Sequence, residues 1–205
     1  MGQYSDVIPV TITADTVALD ADGISVAASV GNNAALVIGG ALADSGSVTL
    51  SHGRLITILS AGDDSSKSFT VVGTDVNGDS QTETVTGANA GTATSSKYFK
   101  TIASITAVGN PAGNVSAGIN ASAADAIFTM RSRLKGMFLT STATAGEIDF
   151  LTSSPSGTSI MKLSSVSDAD ATRDVTIPNE GVVFTSGIYI QYTVSTFLTM
   201  TVFHA

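Results

Sequence analysis

The residues able to do chemistry are few and scattered. The chain of 205 residues has two histidines, His52 and His204, no cysteine and no tryptophan. Without cysteine, disulfides and thiolate metal sites are excluded. His52 lies in Ser51-His52-Gly53 and His204 is next to last. A serine–histidine–aspartate set could be drawn from the many Ser and Asp residues, but no Gly-x-Ser-x-Gly elbow orders one. The two histidines therefore read as a turn residue and an end residue. Two runs, Asp20-Ala21-Asp22-Gly23 and Asp75-Val76-Asn77-Gly78-Asp79, set side-chain oxygens at every second position beside a glycine. Calcium accepts that geometry, which makes Asp20, Asp22, Asp75, Asn77 and Asp79 the metal candidates. Against this, the twelfth place counted from Asp75 is Thr86 and not the glutamate of an EF-hand. Both runs also suit a hairpin turn. Asp168, Asp170 and Asp174 form a third acidic group that reads as solvated. Glu147 and Asp149 share a strand face and could imitate a glycosidase pair, yet nothing fixes their distance to a second acid. The glycine-containing turns lack Gly-Lys-Ser/Thr and a following helix, so no phosphate loop is present.

Charge narrows the partners. The net charge is −8; residues 1–121 carry ten acids and four bases, and residues 122–205 seven and five. Such a chain repels phosphates, and no nucleic-acid partner is expected. The one basic cluster is Arg131, Arg133 and Lys135. At spacing two they share a strand face, either as an anion-binding stripe or, the favoured reading, as ion-pairing residues at an interface. Charged residues are 13% of the chain, about half the usual share, so its surfaces are expected to be neutral and rich in hydroxyls. No apolar run approaches the ~20 residues that span a bilayer. The start, MGQYSDVIPV, has no basic stretch leading into an apolar one, so neither export by the general route nor membrane attachment is expected.

The elements that would position these residues are strands. Ser68–Thr74 and Gln81–Thr86 alternate about the turn at Asn77-Gly78, with Thr82, Thr84 and Thr86 on one face. Further strands are predicted at Val7–Ile12, Ile24–Ser29, Ala35–Ile38, Ser47–Ser51, Arg54–Ser60, Ser95–Phe99 and Thr101–Val108. A second series runs Leu134–Ser141, Glu147–Thr152, Ser159–Leu163, Val175–Ile177, Val182–Thr185, Gly187–Val194 and Phe197–Phe203. No segment sustains a 3.6-residue period. The expected fold is all-β, two β-sandwich or jelly-roll-like domains with very little helix. Residues 1–121 form the first, 122–132 a linker in which Ala121–Ala126 is a short helix or irregular, and 133–205 the second. Ile188, Ile190 and Tyr192 share a face, as do Phe197 and Phe203, and all five read as core. The closing strand ties down the C-terminus, so losing the last six residues should cost folding.

Three stretches then resemble a known class. Val72-Gly73-Thr74-Asp75-Val76-Asn77-Gly78, Glu83-Thr84-Val85-Thr86-Gly87 and Lys97 to Thr106 resemble a β module of tailed-bacteriophage virion proteins. Leu134 to Leu139, Ala145-Gly146, Ile177 to Phe184, Gly187 to Ile190 and Thr201-Val202-Phe203 are similar to another phage β-sandwich pattern. Residues 1 to about 60 carry no such likeness. The resemblance implies a non-enzymatic virion structural protein without cofactor, made in the host cytoplasm. It would be a capsid decoration or cement protein on the major capsid protein shell, and a homo-oligomer for which a trimer suits three-fold lattice sites. The alternative is a tail or fibre component contacting other tail proteins or host-surface glycans. An accessory domain of a surface-binding enzyme is the third reading.

Overall fold

A computed structural model describes residues 6–13, 20–120, 124–192 and 196–205. Their strands, in chain order, are β1 (Ile8–Thr13), β2 (Asp20–Ala28), β3 (Ala43–Asp44), β4 (Ser47–Ser60), β5 (Ser68–Thr74), β6 (Ser80–Thr86), β7 (Thr92–Val108) and β8 (Val115–Ile119), followed by β9 (Ala124–Phe128), β10 (Ser132–Ser141), β11 (Gly146–Thr152), β12 (Thr158–Ser165), β13 (Thr172–Thr176), β14 (Val182–Phe184), β15 (Ile188–Tyr192) and β16 (Phe197–His204). There is no helix among the described residues, and the fold is all-β.

Two compact units divide the chain, but not at the expected border. One, the split unit, joins Met1–Val17 to Ala123–Ala205; the other, the continuous unit, is Ala18–Ser122. The first strand, expected in the N-terminal domain, instead pairs with the last, from Ile8 opposite His204 to Thr13 opposite Thr199. The expected linker, 122–132, contains β9, which pairs antiparallel with β15. The expected helix or irregular stretch at Ala121–Ala126 thus enters a strand; its residues 121–123 lie outside the described ones.

The split unit is a β-sandwich. One sheet runs β1-β16-β10-β13, with β14 also on β10; the other runs β12-β11-β15-β9. Ile12, Met137, Leu139, Met200 and Val202 of the first sheet pack with Ile148, Phe150, Ile188, Ile190 and Tyr192 of the second. Alternation gives each sheet its apolar face, and each fully buried Ile, Phe or Met contributes roughly 1.5–3 kcal/mol. The pairing of Phe197 with Phe203 fails. Phe197 is in the core, its ring 5.0 Å from that of Tyr192. Phe203 is only half-buried, opposite Pro9 and Gly136 on the outer face. A register shift between Thr140 and Ser141 marks a bulge near Phe197. One extra residue there reverses which face the following positions occupy.

The continuous unit is a single antiparallel sheet, β2-β8-β4-β7-β5-β6, with β3 also on β4. Ile24, Ile56, Phe69, Val85, Ile105 and Ala117 come from six of these strands and belong to one buried cluster. A single sheet shares one core only by coiling over it. The devices are two long, bulged strands. β4 runs from Thr49 to Arg54 while its partner β7 advances only from Thr101 to Phe99; β7 then runs from Tyr98 to Thr94 against Leu55 to Thr57. Each strand therefore reads in the sequence as two. Ser95 fills the β7 bulge: its Oγ accepts from the Ile56 N–H at 2.8 Å and donates to the Lys97 carbonyl at 3.0 Å. Ala35 makes an isolated bridge to Thr106, where a full strand at 35–38 was expected.

Candidate functional site

The two calcium candidates have different fates. Asp75 to Asp79 is the five-residue loop between β5 and β6. Asp75 Oδ1 accepts the N–H groups of Asn77 (2.8 Å) and Asp79 (3.0 Å), and Oδ2 accepts Asn77 Nδ2 at 3.2 Å. The Asp75 N–H donates to the Asp79 carbonyl at 2.9 Å, and Gly78 takes a φ of +90°. The carboxylate closes the turn with its own neighbours, and an ion would have to displace those bonds. Asp20 and Asp22 are not in a turn at all but inside β2. The strand advances from Asp20 to Ser25 while its partner advances from Ile119 to Ala117. This bulge folds the Asp20 carboxylate over Gly23, where an added Cβ would lie 2.1 Å from Oδ2. Among the described residues, no three His, Asp or Glu side chains gather as a metal set.

The basic trio holds a turn. Arg131 is exposed ahead of β10. Arg133 Nη1 and Lys135 Nζ each donate across 3.3 Å to adjacent carbonyls, of Glu180 and Asn179 respectively. That segment turns sharply, with φ +59° at Asn179 and +79° at Gly181. Spacing two on one face was legible in the sequence; the object of the reach, a pair of backbone carbonyls, was not.

Glu147 and Asp149 lie on β11 opposite β12, and Lys162 reaches both, 2.6 Å from Glu147 Oε1 and 3.5 Å from Asp149 Oδ2. Asp149 also accepts the Ser159 hydroxyl at 2.5 Å. The bond from Glu147 and the charge of Asp149 raise the Lys162 pKa above the usual lysine value. Neither acid is poised as a proton donor. His52 is buried in the β4 bulge, its Nδ1 2.8 Å from Ser51 Oγ. His204 is buried on β16, its Nδ1 3.1 Å from Ser132 Oγ and its ring 4.9 Å from Phe128. Burial pushes its pKa below the ordinary imidazole value. Asp170 has a φ of +62° and donates its N–H to Ser141. Asp174 faces outward opposite Phe138.

Sequence reasoning missed the buried polar residues. Arg54 is fully buried and donates from Nη2 to the Asn120 carbonyl. Asp64, also fully buried, accepts the Ala112 N–H at 2.8 Å. In the split unit, buried Asp125 accepts the Tyr192 hydroxyl at 2.5 Å. Alternation could not reveal them, because each partner lies far along the chain.

What remains open to a partner is sheet surface. The outer face of β1-β16-β10-β13 has three ranks of four: Pro9, Phe203, Gly136, Thr176; Thr11, Thr201, Phe138, Asp174; and Thr13, Thr199, Thr140, Thr172. One of these positions is charged. On β6-β5-β7 the outer ranks are Thr86, Ser68, Val108; Thr84, Thr70, Thr106; and Thr82, Val72, Ser104, with no charge. A hollow of about 150 Å³ among Ala27, Leu59, Ser60, Ala61, Asn114 and Ser116 is smaller than the roughly 300 Å³ at which small-molecule sites begin. The geometry therefore favours broad contact over chemistry at a point. No family model matches this chain, and no match is found among curated proteins or solved structures.

Proposed function

We propose that this chain is a non-enzymatic structural protein of a tailed-bacteriophage virion, a decoration or cement protein that binds the major capsid protein shell. The observation that carries the reading is the pair of nearly uncharged, threonine-rich sheet faces. Acidic and basic side chains elsewhere are engaged with backbone or with each other. Such faces suit many copies packed side by side, since they bring no like charges together. β-Branched threonine also has little χ1 freedom to lose at a contact. The resemblance to phage β modules supports the same class. Regular sheets tied by short turns suit a particle that must persist outside a cell without disulfides.

The test is to mix purified protein with capsid shells that lack it and to pellet the shells. Saturable co-pelleting at a fixed ratio to the shell protein is expected. A folded protein that stays in the supernatant overturns the decoration role and moves the reading to a tail or fibre component, for which host-cell and glycan binding are the next assays.

A further inference from the structure

We infer that the outer face of the β1-β16-β10-β13 sheet is where two copies of this chain meet face to face. The inference deepens the side-by-side packing proposed above and rests on that reading. Three observations carry it. First, two aromatic side chains lie on this face. Phe138 is 39% exposed, and Phe203, displaced from the core by the bulge near Phe197, stands opposite Gly136, which offers no side chain to cover it. Register makes the two phenylalanines diagonal neighbours, within reach of one another's flanks. Exposed Pro9 extends the apolar strip on the other side of Phe203.

Second, the charge distribution selects the partner. The chain carries −8, so two copies repel, and the approach of least cost is through a face with few charges. This face has Asp174 alone among twelve positions, four in each of three ranks. It has no cation to recognise an acidic partner and no anionic cluster to recognise a basic one. A second copy presents the same neutral surface, and a two-fold axis places each patch on its own equivalent.

Third, the surroundings of the aromatics are already ordered. Thr11 Oγ1 and Thr201 Oγ1 are 2.9 Å apart across the strands. Their methyl groups extend the apolar surface, and their hydroxyls keep capacity for bonds to the other copy. Two such faces stack at about 10 Å, as sheets do inside a sandwich.

The experiment is the mass of the full chain in solution by sedimentation or light scattering, without shells. The wild type is expected at a multiple of its 20.6 kDa chain mass. Phe138→Lys and Thr201→Lys, both at outer positions, are expected to give the single-chain mass with unchanged circular dichroism. Thr84→Lys, on β6 of the other unit, is expected to keep the wild-type mass. A monomeric wild type overturns the inference, as does an oligomer that survives both lysines or one dissolved by Thr84→Lys. A monomer that still co-pellets with shells sinks this contact alone and leaves the virion reading standing.

Discussion

The two units use their few charged residues in opposite ways. In the continuous unit, acids accept backbone N–H groups. Asp63 takes that of Ser65, Asp64 that of Ala112, Asp75 those of Asn77 and Asp79, and Glu83 those of Ser96 and Lys97. In the split unit, bases donate to backbone carbonyls: Arg133 to Glu180, Lys135 to Asn179 and Arg173 to Ser164. Arg54 and Lys97 depart from the pattern, each donating to a carbonyl in the continuous unit. The difference follows from architecture. A sheet that coils by bulges and tight loops leaves N–H groups without strand partners, and buried ones must be satisfied. The sandwich is regular by comparison, and its charged residues secure turns and edges. The acidic excess of residues 1–121 is thus in part a set of backbone caps. It need not advertise a cationic ligand.

The comparison is broken most severely at Tyr192 in the split unit. Tyr192→Asp would set a second carboxylate in the core beside buried Asp125. Leaving a charge uncompensated there costs about 3–5 kcal/mol, before the cavity left by the ring. No soluble folded protein is expected on expression. Folded, soluble Y192D would show that this residue is not core. The milder Tyr192→Phe removes only the bond to Asp125 and is expected to cost roughly 1–3 kcal/mol, read by denaturant unfolding.

Glu83 tests the other half. Its two carboxylate oxygens accept the Ser96 and Lys97 N–H groups at 2.7 and 2.9 Å, where β7 bulges. Glu83→Ala is expected to cost about 2 kcal/mol, the order for hydrogen bonds to a charged group. Hydrogen exchange should quicken at Ser96 and Lys97 while β10 and β16 keep their protection. Equal loss of protection in both units would mean that the cap is not local. Asp75→Ala should cost less, about 1 kcal/mol, because the loop is exposed at its tip and Gly78 already supplies the φ the turn requires. Calcium or a chelator should leave the wild-type melting temperature unchanged; a rise with calcium would restore Asp75, Asn77 and Asp79 as ligands.

Strand existence was legible where alternation was uninterrupted. Ser68–Thr74 matches β5 end to end, and Thr82, Thr84 and Thr86 share a face as expected. Legibility stopped at bulges. β4 and β7 each looked like two strands because three or four residues there break the period of two. β8, Val-Ser-Ala-Gly-Ile, was missed because its small residues carry little strand signal, although every one is buried. Gly118 is required there, since a Cβ would lie 1.7 Å from the Asp20 carbonyl. The union of β1 with β16 was invisible because register between ends nearly 200 residues apart leaves no local mark. For the candidate site, the turn at Asp75 and the shared face of Arg133 and Lys135 could be read. The burial of Arg54, Asp64 and Asp125 could not, since it depends on which distant strands arrive beside them.

The pH dependence sharpens the contrast further. Burial of His204 favours the neutral ring, so its folded pKa lies below its unfolded value. The unfolded chain then binds more protons in mild acid, and stability rises with pH through that window. Its contribution is full above about 6.5, the unperturbed value, and declines as pH falls below it. Melting temperature should therefore drop from pH 7 toward pH 5, and His204→Gln should flatten that slope. Asp63 works in a lower window. The Ser65 hydroxyl and N–H hold its pKa below the usual carboxylate value, so its contribution is present above about 3.9 and lost as pH falls through the lower folded value. A slope unchanged in H204Q would mean that another group titrates between pH 5 and 7.

The smallest effect is expected where the structure has its most visible ion pairs. Lys162 bridges Glu147 and Asp149, but its side chain and that of Glu147 are both more than half exposed. Water screens such pairs, and ordering a long lysine offsets most of the attraction. The raised Lys162 pKa makes any contribution present at neutral pH and lost only as pH climbs through the folded value. Lys162→Met should accordingly leave the melting temperature at pH 7 nearly unchanged, and added salt should do no more. A clear loss of stability in K162M, abolished by salt, would show that the split unit depends on side-chain ion pairs, and the contrast between caps in one unit and edges in the other would need redrawing.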